Sequence, residues 1–418
     1  MRLLIKNIKT LVQITEPDHT VVAGKAMKKL KTLDDAWLAI EGDKIAGFGR
    51  MEDWEGISDW TNLKVIDATG KFVFPSWCDS HTHLVFAGSR EGEFVDRING
   101  LTYEEIASRG GGILNSSNRL KNAPEEELLA GAMERLNEIM LQGTGAVEIK
   151  SGYGLSLESE LKMLRVIQKL KTLSPLTIKA TFLGAHAVPA AYKGRKADYI
   201  KLLTEELMPA IQEENLADYC DVFCENNYFT PEETIHILEK GKKHRMIPKV
   251  HAEQLSNYGG VLAGVKCGAI SVDHLEYVGE AEIEALKGSG TMPTILPGAA
   301  FFLSLPHPPA RKMIDSGLSL ALASDFNPGS SPSGNMNLMI AIACIQYRLT
   351  PEEAINAATL NSAYAMGLLE THGSICVGKK ANVFITKEIP SIGFIPYAFG
   401  SNLVETVILN GKVIEFKQ

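Results

Sequence analysis

Residues 71–83 read KFVFPSWCDSHTH, a nearly unbroken apolar run that ends in two histidines one residue apart. A strand buried on both faces reads as a continuous apolar stretch, and polar residues collected at its end mark the rim of a site. Seven more stretches repeat the pattern: TGAVEIKS (144–151), IKATFLGAH (178–186), CDVFCENN (220–227), IPKVHAE (247–253), GAISVDHL (268–275), TMPTILP (291–297) and LSLALASDFN (318–327). Amphipathic helical stretches such as SLESELKMLRVIQKLK (156–171) and TPEETIHILEKGKKH (230–244) separate most of them. In the latter, Thr230, Pro231 and Glu233 supply the N-cap, N1 and N3 signals of a helix start. Eight apolar strands alternating with helices predict a parallel sheet closed into an α/β fold, the (β/α)8 TIM-type barrel.

Outside this region the texture changes. RLLIKNIKTLVQI (2–14), AWLAIEGDKIAGFG (36–49) with a Gly-Asp turn, and LKVIDATGKFVFP (63–75) with a Thr-Gly turn read as strands and hairpins. The last forty residues return to that style in GKKANVFIT (378–386) and LVETVILNGKVIEF (403–416), which has Asn-Gly between two apolar runs. Residues 1–70 plus 374–418 are therefore expected to form one small, β-sandwich-like domain, and 71–373 the barrel.

With 418 residues, 45% hydrophobic and 22% charged, the chain has ordinary globular composition. A formal net charge of −8 without a dense basic run argues against nucleic acid and for a small-molecule substrate. The six cysteines are scattered, and Cys220 and Cys224 lack a second pair to complete a zinc knuckle, so core thiols are expected. The start MRLLIKNIKTLVQI has no continuous apolar segment of a signal peptide, and no run of eighteen apolar residues suggests a membrane span. The cytoplasm is the expected location.

Barrel enzymes carry their reactive groups at the C-terminal ends of the strands. There the sequence places His81 and His83, then Lys150 and Tyr153, His186, Glu225, His251, His274 and Asp325. Side chains at i and i+2 of a strand point the same way, so His81 and His83 can reach one metal, and His251 and Asp325 would close the clamp. Neutral imidazoles with a carboxylate suit Zn(II) or Fe(II) and leave a position for water. A lone strand-end histidine is more often a hydrogen-bonded structural residue; it is the coincidence of five such groups in barrel order that points to chemistry. His19, His236, His244, His307 and His372 lack that placement and read as surface or packing residues. Gly110, Gly111 and Gly112 have no preceding strand or P-loop lysine, so they read as a flexible active-site loop rather than a phosphate cradle.

The stretches DSHTHLVFAGSREGEF, GGGI, EIKSGYGL, TFLGAHAVP, DVFCE, HAEQLSNYGG, DHLE and ASDFNPGSSP resemble, in order and over nearly the whole chain, the motifs of the amidohydrolase superfamily and, within it, the imidazolonepropionase family. The resemblance implies one divalent metal, zinc or iron, held by His81, His83, His251 and Asp325. It implies substrate contacts at Arg90, Tyr153, His186, Asn327, Gly329 and Ser330, with His274 beside the metal. The implied reaction, a step of histidine degradation, is hydrolysis of the cyclic amide 4-imidazolone-5-propanoate to N-formimidoyl-L-glutamate by a cytoplasmic homodimer. Gln254 stands where some members carry a glutamate that acts on the water. A glutamine cannot be a base, and adjacent Glu253 should face the other side of an extended segment. Proton transfer is therefore assigned to the catalytic pair Asp325 and His274, and Gln254 to a hydrogen bond with substrate. Arg90 offers a planar fork for the propionate, against the plainer alternative of an ion pair with Glu91 or Glu93. Lys150 leaves open a carboxylated, two-metal relative, and a catalytically silent scaffold is the reading from another class.

Overall fold

The computed structural model describes residues 2–57, 61–101, 105, 106 and 109–415. Its centre is a parallel eight-stranded sheet in which each strand pairs with the next in sequence: β1 Trp77–Thr82, β2 Thr144–Lys150, β3 Thr177–Ala185, β4 Tyr219–Cys224, β5 Ile247–Ala252, β6 Ser271–His274, β7 Met292–Ile295 and β8 Ala321–Leu322. All eight expected strands are present, β8 being cut to two residues. Closure comes just beyond it, where the Asp325 N–H donates to His81 O at 3.0 Å, the His83 N–H donates to Phe326 O at 2.9 Å, and Thr82 bridges Phe326 in parallel register. The result is the expected (β/α)8 barrel.

The strands are built for two different faces. In β2, Val147 and Ile149 point outward into the apolar layer beneath the helices, while Glu148 and Lys150 turn into the barrel with no exposure at all. The helix Leu157–Leu173 covers that layer with Leu161, Leu164, Ile167 and Leu170, each such side chain contributing roughly 1.5–3 kcal/mol of burial. Thr230 and Glu233 form the anticipated capping box, with Pro231 in the first turn.

A second sheet gathers both chain ends, in the order Lys412–Val413, Val404–Leu409, Val383–Glu388, Lys71–Pro75, Arg2–Val12, Thr32–Glu41 and Lys44–Arg50, with Leu63–Asp67 also on Arg2–Val12. Two details differ from expectation. The stretch 63–75 is no hairpin: Leu63–Asp67 and Lys71–Pro75 both run parallel to Arg2–Val12, registered Arg2 to Leu63 and Thr10 to Phe72. The Thr-Gly bend takes up the one residue by which those registers differ, held by Asp67 accepting from the Thr69 N–H and hydroxyl. Lys71–Pro75 also lies in this sheet, five residues past the boundary drawn at residue 70, because the apolar run continues across the crossing into the barrel. At the Asn410-Gly411 turn both residues have positive φ (50° and 72°), and a Cβ on Gly411 would lie 2.1 Å from Gly42 O. Only glycine fits there.

All six cysteines are free, and five are buried. Among the described residues no helix is long and apolar enough to cross a membrane.

Candidate active site

Three imidazoles and a carboxylate meet at the C-terminal mouth of the barrel. His83 Nε2 lies 3.3 Å from His81 Nε2 and 3.3 Å from His251 Nε2, and Asp325 Oδ1 lies 3.6 Å from His81 Nε2 and 3.5 Å from His83 Nε2. A proton on one ring nitrogen serves a single partner, so such a cluster is poorly satisfied by hydrogen bonds. Ligands ~2.1 Å from one tetrahedral ion, by contrast, sit about 3.4 Å apart. Burial lowers all three histidines, His251 to about 3, keeping them in the neutral form that can ligate. The donor set fits one divalent cation, and among the described residues the His81–His83–Asp325 group and a His81–His251–His274 group meet metal-ligand spacing.

What aims the rings lies one layer deeper. Asp273 Oδ2 accepts from His81 Nδ1 at 2.6 Å, and Asp221 Oδ2 is 3.0 Å from His251 Nδ1, so both rings turn Nε2 to the centre. Lys150 Nζ donates to Asp221 at 2.7 Å and Glu148 at 2.6 Å, while Lys249 contacts Glu148 and donates to Ser80 O at 3.0 Å. Burial would raise Asp221, but His251 and Lys150 outweigh it and hold the carboxyl well below its ordinary range. Lys150 is thus a paired structural cation rather than a free bridging group. The sequence reading missed Glu148, Asp221, Lys249 and Asp273; the available signal was a charge at alternate positions inside apolar strands, as Lys249 is to His251.

Backbone conformation completes the mouth. Asp273 faces the interior, so in a regular strand its neighbour His274 would face the helices. A φ of 88° at His274 turns its ring into the cavity instead. Here burial alone would lower the pKa, but the Glu276 carboxylate, 3.7 Å from Nδ1, prevails and raises it. Asp325 has φ 55°, with Oδ2 accepting from Ser330 Oγ at 3.2 Å, and burial raises it to about 6 against the pull of His274.

The cavity above these groups measures about 560 Å³ and is lined by His83, Arg90, Arg97, Tyr153, His186, His251, Gln254, His274, Asp325, Asn327, Gly329 and Ser330, with Phe94, Phe223 and Phe302 as apolar walls. Of the residues expected at the site, His81 lies deeper, Lys150 and Glu225 are buried outside the lining, and Gly110, Gly111 and Gly112 do not border the cavity; the others do. His186 Nδ1 donates to Gly152 O at 3.0 Å, which leaves Nε2 as an acceptor, and burial lowers its pKa to about 4. Asn327 is spent on its own loop: Oδ1 accepts from the Gly329 and Ser330 N–H groups at 2.8 Å, and Nδ2 donates to Asp325 O at 2.6 Å. Glu253, with φ 51°, turns away from the mouth and accepts from the Gly259 and Val261 N–H groups at 2.9 and 3.0 Å, whereas Gln254 borders the cavity. Glu225 ties down the loop after β5 through the Leu255 and Ser256 N–H groups. His19, His236, His244, His307 and His372 are not part of the lining.

Comparison with known proteins gives a consistent outcome. The chain matches the Amidohydrolase family over residues 72–414. It is 56% identical to the imidazolonepropionase of Christiangramia forsetii over 99% of this chain and 100% of the relative. It is 57% identical to that of Flavobacterium johnsoniae over 98% and 99%. Among solved structures, Escherichia coli guanine deaminase superposes with a TM-score of 0.73 over 100% of both chains at 15% identity. An adenosine deaminase from Xanthomonas campestris, with bound zinc, superposes at 0.70 over 98% and 92% at 16% identity. At such identities the structural likeness speaks for the fold alone.

Proposed function

The chain belongs to the Amidohydrolase family and to the imidazolonepropionases within it, and we propose that it opens 4-imidazolone-5-propanoate with water to N-formimidoyl-L-glutamate through the groups at the barrel mouth. It is a hydrolase of histidine degradation. His81, His83, His251 and Asp325 would hold the ion, zinc or iron, both of which suit three imidazoles and a carboxylate. A divalent ion there supplies Lewis acidity, which polarises a carbonyl and lowers the pKa of water from 15.7 toward about 7.

The protein's own groups carry the remaining tasks. Asp325 accepts the proton of the attacking water and returns it to the departing ring nitrogen; Ser330 steadies its second oxygen. His274, brought into the mouth by its strained backbone, donates to the oxyanion that develops on the ring carbonyl. Arg90 takes the propionate, a strong charge-assisted contact. Tyr153, His186 and Gln254 border the space for the ring, and His186 Nε2 is available to accept from a ring N–H. Asn327 acts by shaping the 325–330 loop, which brings Gly329 and Ser330 to the cavity. The same reading has residues 71–373 as the catalytic unit, with the two chain ends as a supporting one, in a cytoplasmic homodimer that takes a small-molecule substrate.

The observation that carries this reading is the close approach of the His81, His83 and Asp325 donor atoms, with His251 Nε2 against His83 Nε2, beneath a cavity bordered by Arg90. The test is ring absorbance of freshly generated 4-imidazolone-5-propanoate, with and without chelator. Rapid loss of absorbance that chelation stops is expected; loss no faster than in buffer refutes the assignment.

A further inference from the structure

Arg90 reaches the cavity from just before the helix Glu91–Ile98, and its guanidinium is not free to swing. Its Nε and Nη2 donate to Glu93 Oε2 at 2.9 and 2.6 Å. Those are the side edge of the guanidinium, so the end edge, Nη1 with Nη2, keeps donors for a ligand. The loop after β8 packs directly against the same guanidinium: a Cβ on Gly329 would fall 2.1 Å from Arg90 Nη1 and 2.5 Å from Cζ. Nothing larger than glycine leaves the guanidinium where it is.

Glu93 is itself anchored. Its Oε1 accepts from Asn115 Nδ2 at 2.8 Å, and both oxygens lie 3.2 Å from the Gly112 N–H. Gly112 is the N-cap of the helix Ile113–Asn122, has φ 80°, and offers no side-chain cap. The Glu93 carboxylate fills that role from another segment and meets the positive end of the helix. A Cβ on Gly111 would stand 2.8 Å from Ile106 O and 3.1 Å from Glu93 Cδ. The glycine run is thus what lets the loop close on this carboxylate. Its anion is a residue of the same chain.

We propose that Glu93 is a positioning residue for substrate specificity: it locks Arg90 to the glycine loop and the Ile113–Asn122 helix, so that the free guanidinium edge meets a carboxylate-bearing tail already aligned. This rests on Arg90 as the tail contact. Both side chains are shielded, 9% and 14% exposed, so the pair is not a solvated surface bridge. A fork held in place loses less conformational entropy when it binds, and that gain is confined to ligands with an anionic tail.

The experiment compares KM and kcat for the propionate substrate with inhibition by imidazole-propanoate and by its uncharged carboxamide. It is run in Glu93→Gln, Gly329→Ala, Arg90→Ala and the Arg90→Ala/Glu93→Gln double variant. Glu93→Gln and Gly329→Ala are expected to raise KM and the carboxylate's inhibition constant by about tenfold, with a much smaller change in kcat and in carboxamide binding. Glu93→Gln should add nothing once Arg90 is gone. Equal weakening of both inhibitors, or a full additional loss in the double variant, overturns the role of Glu93. If Arg90→Ala leaves KM unchanged, the tail contact itself is wrong, whatever Glu93 does.

Discussion

Asp325 is asked to do two things at once, and its surroundings explain how one carboxylate can. Oδ1 faces the histidine cluster while Oδ2 accepts from Ser330, so each oxygen has its own environment. Replacing it by asparagine keeps the shape and removes the proton acceptor. Asp325→Asn is expected to retain the melting profile of the parent and to lose about a hundredfold or more in kcat, even when metal-replete. Near-normal turnover in such a protein would dismiss the proton transfer. The histidines were legible because strand periodicity puts His81 and His83 on one side. His274 borders the mouth for a reason the sequence does not display, since its ring reaches there through a φ of 88° that no period-two pattern anticipates.

At the scale of the element, strand ends were easy to read and strand interiors were not. A continuous apolar run announces a buried strand, but the charges within VEIK and IPKVH looked like interruptions. They are in fact the floor of the site: Lys150 and Lys249 lie among Glu148, Asp221 and Asp273, all at most 1% exposed. Which charge meets which depends on pairing across the barrel, information spread over strands seventy or more residues apart. The Arg90–Glu93 pair was legible as the plainer alternative for Arg90, but the anchoring of Glu93 was hidden for the same reason, as Gly112 and Asn115 come from a different segment. Breaking one buried partnership leaves the others uncompensated. Lys150→Met is accordingly expected to cost roughly 3 kcal/mol or more in chemical denaturation, together with weaker metal retention against chelator. A loss below about 1 kcal/mol, the usual worth of an exposed pair, would show that the network is not the support described.

For the whole molecule, the end sheet and the barrel meet around His372. Its Nε2 is 2.9 Å from Thr177 Oγ1 at the start of β3, and its carbonyl accepts from Lys379 Nζ at 2.8 Å. Burial first, then Lys379 and Lys380, lowers its pKa from 6.5 to about 4. A depressed folded-state value means that stability is intact above 6.5 and drains away as pH falls toward 4, because the unfolded chain takes up the proton first. The contribution lost over that window is on the order of 2 kcal/mol. His372→Gln should flatten the decline in denaturation midpoint between pH 6.5 and 4 relative to the parent; parallel declines would place the acid sensitivity elsewhere. The topology of the junction was only half visible in sequence. The apolar character of residues 63–75 was plain, whereas the parallel pairing of both halves with Arg2–Val12 depends on a partner sixty residues away.

The claim on which the chemistry depends is that four side chains from β1, β5 and the turn after β8 bind one ion. Anomalous diffraction from metal-replete crystals measures this directly. The account predicts a single peak per chain, roughly 2.0–2.2 Å from His81 Nε2, His83 Nε2, His251 Nε2 and an Asp325 carboxylate oxygen. A peak elsewhere, a second ion bridged by Lys150, or no peak with full activity retained would contradict it.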